Sequence, residues 1–217
     1  MTGLAPKTLK VFKDISTLSC IQEYVLVGGT ALSLQINHRL SEYLDFCKWS
    51  DTSSAKSGIP FKQIHRELKD KFQKVEVNPL DFNQADFFVN GEVKLQFFNE
   101  IGYTLPTQKT IALRNNLKIA PIETIGAMKI KTMFQLNVFR DYYDTYAIVK
   151  GGHLSLKHLI NLSCTYNSKL QSKAIINRLL LYAKFNEEKN FGLLSPKYNV
   201  SSHEIGGFFK AESSNLF

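Results

Sequence analysis

An apolar run that ends in two adjacent glycines and passes at once into helix formers, YVLVGGTALSLQINH (24–38), leaves few folds open. Residues 24–27, Tyr-Val-Leu-Val, are apolar and rich in strand formers and predict a short strand closed by Gly28 and Gly29. TALSLQINH predicts a helix, with Thr30 suited to capping it. A strand that enters a helix through glycine sets the helix's first free amides at the strand's end. The next apolar run, YLDFCKW (43–49), reads as a second strand. Period two then puts Tyr43 and Asp45 on one face and Leu44 and Phe46 on the other.

The rest of the chain predicts an α/β (α+β) fold: a mixed sheet with flanking helices, followed by a helical C-terminal region. Leu9, Phe12, Ile15 and Leu18 recur at helical spacing over 7–20, as do Phe61, Ile64, Leu68 and Phe72 over 60–73. DTSSAKSG, from 51, reads as a polar loop. From 75 to 98 the period changes to two, and FFVNGEVKL signals a hairpin because Asn90 and Gly91 tolerate positive φ. A further short strand is expected near 110–119. From Pro121 onward the pattern is helical over 122–136, 139–150, 154–165 and 170–186, which predicts an α/β domain over 1–120 and a helical region over 121–217. The tail from 190, with scattered Ser, Asn and Gly, is expected to pack loosely or to fold on a partner.

With 44% hydrophobic residues, a chain of 217 has enough apolar surface for a core. The net charge of +8 favours anionic partners such as nucleotides or RNA, or it is a lysine-rich composition bias; both readings stay open. Cys20, Cys47 and Cys164 are far apart with apolar neighbours and read as reduced core cysteines. Neither they nor the five histidines show metal-ligand spacing, which argues against zinc. No apolar run approaches the roughly 18 residues a membrane span needs, so a cytoplasmic protein with no membrane partner is expected.

A double glycine alone marks either a tight turn or a phosphate cradle. Arg39 and Ser41 precede the Asp45 strand, and AMKIKTMFQLNVFRDYYDTY (127–146) sets Lys129 on one helix and Asp141 and Asp144 on the next. Taken in order, VGGTALSLQINHRLSEYLDF (27–46) and this second stretch resemble the nucleotidyltransferase fold, specifically the AbiEii/AbiGii toxin family of minimal nucleotidyltransferases. The likeness covers about residues 20–150.

The resemblance implies a cleft, lined by the C-terminal helices, that binds a nucleoside triphosphate. Gly28, Gly29 and Thr30 would hold its phosphates, with Arg39 and Ser41 beside them, and Asp45 would bind Mg²⁺ or Mn²⁺. Lys129 would pair with the phosphates, and Asp144 would stand beside the nucleotide or act on the attacking group. By their spacing alone Asp141 and Asp144, three apart on one helix, could both face the cleft; Asp144 is preferred for the nucleotide, with Asp141 capping or orienting the helix. Transfer of a nucleotidyl group to RNA (tRNA included) or to protein follows, in a bacterial toxin that would have an antitoxin as partner. The chain departs from the family pattern at Tyr43, where a carboxylate is usual, and EVKLQFF offers Gln96 and Lys94 where a third carboxylate is often found. A phenol is a poor Mg²⁺ ligand. Two alternatives therefore remain: a nucleotide- or RNA-binding protein with degenerate catalytic carboxylates, and a protein interaction module with a vestigial cleft.

Overall fold

Val25, Leu26 and Val27 are buried on both faces, as a mid-sheet strand requires, and form β1 (Val25–Val27). The computed structural model describes residues 2–50, 58–103, 109–181, 188–214 and 216. β2 (Leu44–Ser50) pairs antiparallel with β1, bringing Asp45 opposite Val27, and β5 (Val93–Ile101) lies parallel to β2. Outward from β5 follow β4 (Gln84–Val89) and β3 (Val75–Asp81), both antiparallel. On the other side of β1 come a parallel β7 (Leu117–Ile119) and an antiparallel β6 (Ile111–Arg114). The mixed sheet thus has the order β3-β4-β5-β2-β1-β7-β6.

Alternation along these strands decides what each face meets. Ala85, Phe87, Leu95 and Phe97 are fully enclosed, and α3 (Phe61–Lys71) covers them, with the Phe61 and Phe87 rings 5.5 Å apart. The opposite face, carrying Asp45, Asp86 and Gln96, is the one that the C-terminal helices approach. These are α4 (Ile122–Gln135), α5 (Phe139–Lys150), α6 (Leu156–Tyr166) and α7 (Ser172–Leu179). The Lys131 ammonium of α4 bonds the Glu100 carboxylate of β5 at 2.5 Å, and Trp49 of β2 donates to the Tyr166 hydroxyl of α6 at 3.1 Å.

Several expected elements have different limits. α1 (Pro6–Ile15) stops earlier than the spacing suggested: Thr8, Val11, Phe12 and Ile15 face inward and Leu9 is exposed. α7 ends at Leu179, while residues 51–57 and the expected helical turn over 182–186 lie outside the described residues.

The tail does not pack loosely. A 3₁₀ turn (Phe191–Leu194) and α8 (Ser202–Ser214) close on the helical side, with Ile205 and Phe209 fully buried. Leu40 N–H donates to the Leu194 carbonyl at 2.6 Å and Lys197 N–H to the His38 carbonyl at 2.8 Å, so the tail grips the segment that joins the helix after β1 to β2. Cys20 and Cys47 are buried free thiols and Cys164 a half-buried one. Among the described residues, no helix is long and apolar enough to cross a membrane.

Candidate functional site

The helix after β1, α2 (Gly28–Ile36), begins at the first glycine. No side chain caps it, so its first-turn amides and positive dipole end stay open to an anion. Gly28 has φ +68°, which few other residues adopt. A Cβ there would stand 2.5 Å from Asp45 Oδ2, and one at Gly29 would clash with Arg39 Nη2. The room left by the two glycines is thus used by an acid and a guanidinium of the chain itself, both drawn against the start of α2. Thr30 is not a cap. Fully buried, its hydroxyl donates to the Tyr43 carbonyl and shares a 2.8 Å hydrogen bond with the Ser41 hydroxyl, pinning the entry to β2.

Beneath this turn lies a closed ionic cluster around Asp144, which has no exposed surface. Arg39 Nε and Nη2 donate to Asp144 Oδ1 and Oδ2 at 2.7 and 2.8 Å, a planar fork matched to a carboxylate. Lys129 Nζ lies 2.8 Å from Oδ2, and His38 Nε2 is 2.8 Å from Oδ1. Burial alone would raise the Asp144 carboxyl, but Arg39 and Lys129 outweigh it and hold Asp144 well below the usual range. Burial would likewise lower Lys129, yet Asp141 and Asp144 hold it above its ordinary value, as an ammonium. His38 is the converse: burial outweighs the pull of Asp144 and its pKa is lowered. A neutral His38 donates through Nε2, leaving Nδ1 buried with no partner among the described residues. Two cations and two carboxylates then balance.

Above the cluster opens a cavity of about 300 Å³, lined among others by Gly28, Gly29, Ser41, Asp45, Lys129 and Asp141. The structure therefore brings Asp45, the glycine turn and Lys129 together from β2, α2 and α4. It places Asp144 and Thr30 below the cavity, and turns the paired side of the Arg39 fork toward Asp144. Asp141, expected as a helix-orienting residue, is the carboxylate of α5 that reaches the cavity: Oδ1 accepts from Lys129 Nζ at 2.7 Å, while Oδ2 is buried with no hydrogen-bond partner among the described residues. The Asp45 carboxylate has no hydrogen bond or ion pair among the described residues. Burial raises its pKa, with Lys94 and Lys129 pulling the other way.

Arg140 lines the same cavity, but its Nη2 is held at 3.0 Å by Glu188, whose other oxygen accepts the Arg140 N–H at 3.1 Å. Lys94 stands at the mouth, 3.4 Å from Asp86 and 5.4 Å from the centre of the Tyr43 ring. The cavity continues along β5 into a second of about 710 Å³, with Lys94, Gln96, Phe98 and Thr132 common to both.

Asp86 and Glu188 were not among the residues singled out from the sequence. The alternation of QADFFV, with Ala85 and Phe87 inward, would have put Asp86 on the polar face; nothing local marks Glu188.

An uncharacterized protein of Aquifex aeolicus is 24% identical over 192 residues, 87% of each chain. Among solved structures, MenT4, a nucleotidyltransferase toxin (Rv2826c) from Mycobacterium tuberculosis H37Rv, superposes with a TM-score of 0.56 at 15% identity, over 96% of this chain and 84% of that one. A candidate nucleotidyltransferase from H. pylori gives 0.55 at 17% identity, over 98% and 97%. At such identities the likeness is one of fold, and the fold is that of the nucleotidyltransferases. Residues 11–191 match the family described as nucleotidyl transferase AbiEii toxin, type IV TA system, and it is to this family that the chain belongs.

Proposed function

We propose that the cleft binds a nucleoside triphosphate with Mg²⁺ or Mn²⁺ and transfers its nucleotidyl group to an acceptor hydroxyl on RNA, tRNA included, or on protein. The observation that carries this reading is the meeting of the uncommitted Asp45 carboxylate, the open start of α2 and Lys129 in one cavity. The donor set fits such a metal. Mg²⁺ needs only one or two protein carboxylates when substrate phosphates complete its shell. Among the described residues Asp45 has no hydrogen bond or ion pair, and a Cβ at Gly28 would fill the space against its Oδ2.

When bound, the ion neutralises charge developing on the phosphates. The chain's residues do the rest. The α2 amides hold phosphate oxygens, Ser41 adds a hydroxyl, and Lys129 faces the phosphates as a fixed cation. Asp144 and Arg39 act from below, by fixing Lys129 and the glycine turn. The acceptor oxygen bonds to the α-phosphorus, the α–β phosphoanhydride bond breaks, and pyrophosphate leaves. Asp141, the α5 carboxylate that lines the cavity, takes the acceptor proton. A type IV toxin of this family would have an antitoxin as partner.

Tyr43 and Gln96, standing where the family pattern has or often has carboxylates, favour a second reading in which the triphosphate binds without turnover. One experiment separates the two: each α-labelled triphosphate with Mg²⁺ or Mn²⁺ and total RNA or cell protein, beside Asp45→Asn. Label in an acceptor with the unmodified protein alone supports transfer. Binding without label supports the second reading, and neither binding nor label removes both.

A further inference from the structure

Cross-strand register sets three side chains in one row on the cleft face. Asp45 lies opposite Gln96, and Gln96 opposite Asp86. Strands lie about 4.8 Å apart, so Asp45 and Asp86, two spacings apart, are separated by roughly 10 Å and cannot share a cation whose ligands stand at about 2.1 Å. Gln96, one spacing from Asp45, can. An amide offers a donor at one end and an acceptor at the other, and only the oxygen can ligate a hard cation.

Which end the cavity receives is decided by Asp86, which is 8% exposed. Its Oδ1 accepts from Gln96 Nε2 at 2.8 Å, and its Oδ2 lies 3.4 Å from Lys94 Nζ. With the nitrogen end taken by Asp86, Gln96 keeps its carbonyl oxygen for the cavity that it lines. Without Asp86, the amide could turn its nitrogen to Asp45 and occupy that carboxylate instead.

We infer that Gln96 Oε1 is the second protein oxygen of the cation site beside Asp45, and that Asp86 is a positioning residue that fixes the amide's orientation. This rests on the triphosphate and metal reading given above. It explains how a site with a tyrosine at position 43 and no carboxylate at position 96 still offers two oxygens. It also gives a purpose to a carboxylate, Asp86, that does not itself line the cavity.

The test is Mn²⁺ affinity, read by electron paramagnetic resonance, with each of the four α,β-methylene nucleoside triphosphates. Asp86→Ala is expected to weaken Mn²⁺ by about 10–100-fold, the usual effect of losing an orienting outer partner, and Gln96→Ala, which removes the ligating oxygen itself, by at least as much. Asp86→Asn, whose carbonyl can still accept from Gln96, should recover most of that loss. Affinity for the metal-free analogue should be unchanged, a readout that a merely structural role for Asp86 would not spare. Mn²⁺ affinity within twofold of the unmodified protein in both alanine variants would overturn the inference while leaving triphosphate binding in place. An unmodified protein that binds no analogue with Mn²⁺ would remove the triphosphate reading and this one with it.

Discussion

Gly28 carries two demands at once, a positive φ and empty space against Asp45 Oδ2. A methyl group there meets both. Gly28→Ala is expected to cost about 1–2 kcal/mol from the left-handed backbone alone and to push Asp45 out of place. Chemical denaturation together with Mn²⁺ binding would show a modest stability loss beside a large binding loss; unchanged binding would mean that Asp45 is not held by the turn. Asp141 and Asp144 separate by burial. Asp144→Asn breaks the fork with Arg39 and leaves buried cations short of a partner, an expected loss of about 3–5 kcal/mol. Asp141→Asn, whose Lys129 keeps Asp144, should cost about 1 kcal/mol and lower label transfer about 100-fold or more. Equal stability losses in the two would contradict the separation. From the sequence, both aspartates could face the cleft, being three apart on one helix. The choice was set by Arg39, 105 positions away, whose fork turns α5 so that Asp144 points down. Asp45 was legible because strand alternation is local. The cluster also predicts a pH response. Folded His38 is held below its ordinary value, so below about pH 6.5 the unfolded chain binds a proton that the folded one refuses, and stability falls. Asp144, held low, contributes stability above about pH 3.9 that is lost only as pH falls through its folded value. Melting temperatures should therefore be level from pH 8 to 6.5 and decline below, and His38→Gln should flatten the first decline.

Elements whose apolar residues keep one period were readable; those held by distant partners were not. The hairpin was announced by Asn90 and Gly91, which take φ of 54° and 71°, although Glu92 joins the loop and Val89 comes to face Val93. α8 was not announced, because its glycines and serines dilute the helical spacing and its burial depends on α5 and α7 being in place. The Tyr146 and Phe208 rings, 4.9 Å apart, join the tail to α5, and Phe209 beside them is fully buried. Phe209→Ala is thus expected to cost about 3–5 kcal/mol, as for other large aromatic truncations in a core. Urea denaturation checks it. A loss under about 1 kcal/mol would mean that the tail is a loose appendage, as its composition suggested.

At the scale of the whole molecule, the mixed sheet with a helical C-terminal side was legible from the change of period near residue 120, whereas the sheet order was not. A strand that pairs with β1 could lie on either side of it. The surplus charge was legible as a number and not as a place. The cleft cations Lys129, Arg140 and Lys131 each face a carboxylate, while Lys62, Arg66, Lys69 and Lys71 are exposed on α3, which packs on the opposite face of the sheet. Triphosphate binding as proposed would then draw on the α2 amides and the metal more than on the net charge. Because Asp45 comes from the sheet and Lys129 from the helical side, a ligand joining them ties the two parts and should act on unfolding as a whole. At a hundred times Kd, triphosphate with Mg²⁺ is expected to stabilise the protein by about 2.7 kcal/mol, as one shifted transition. Asp45→Asn should abolish the metal-dependent part of that shift, and reversing the α3 charges should leave it intact. A shift confined to one of two separable transitions would mean that the ligand touches one wall of the cleft alone.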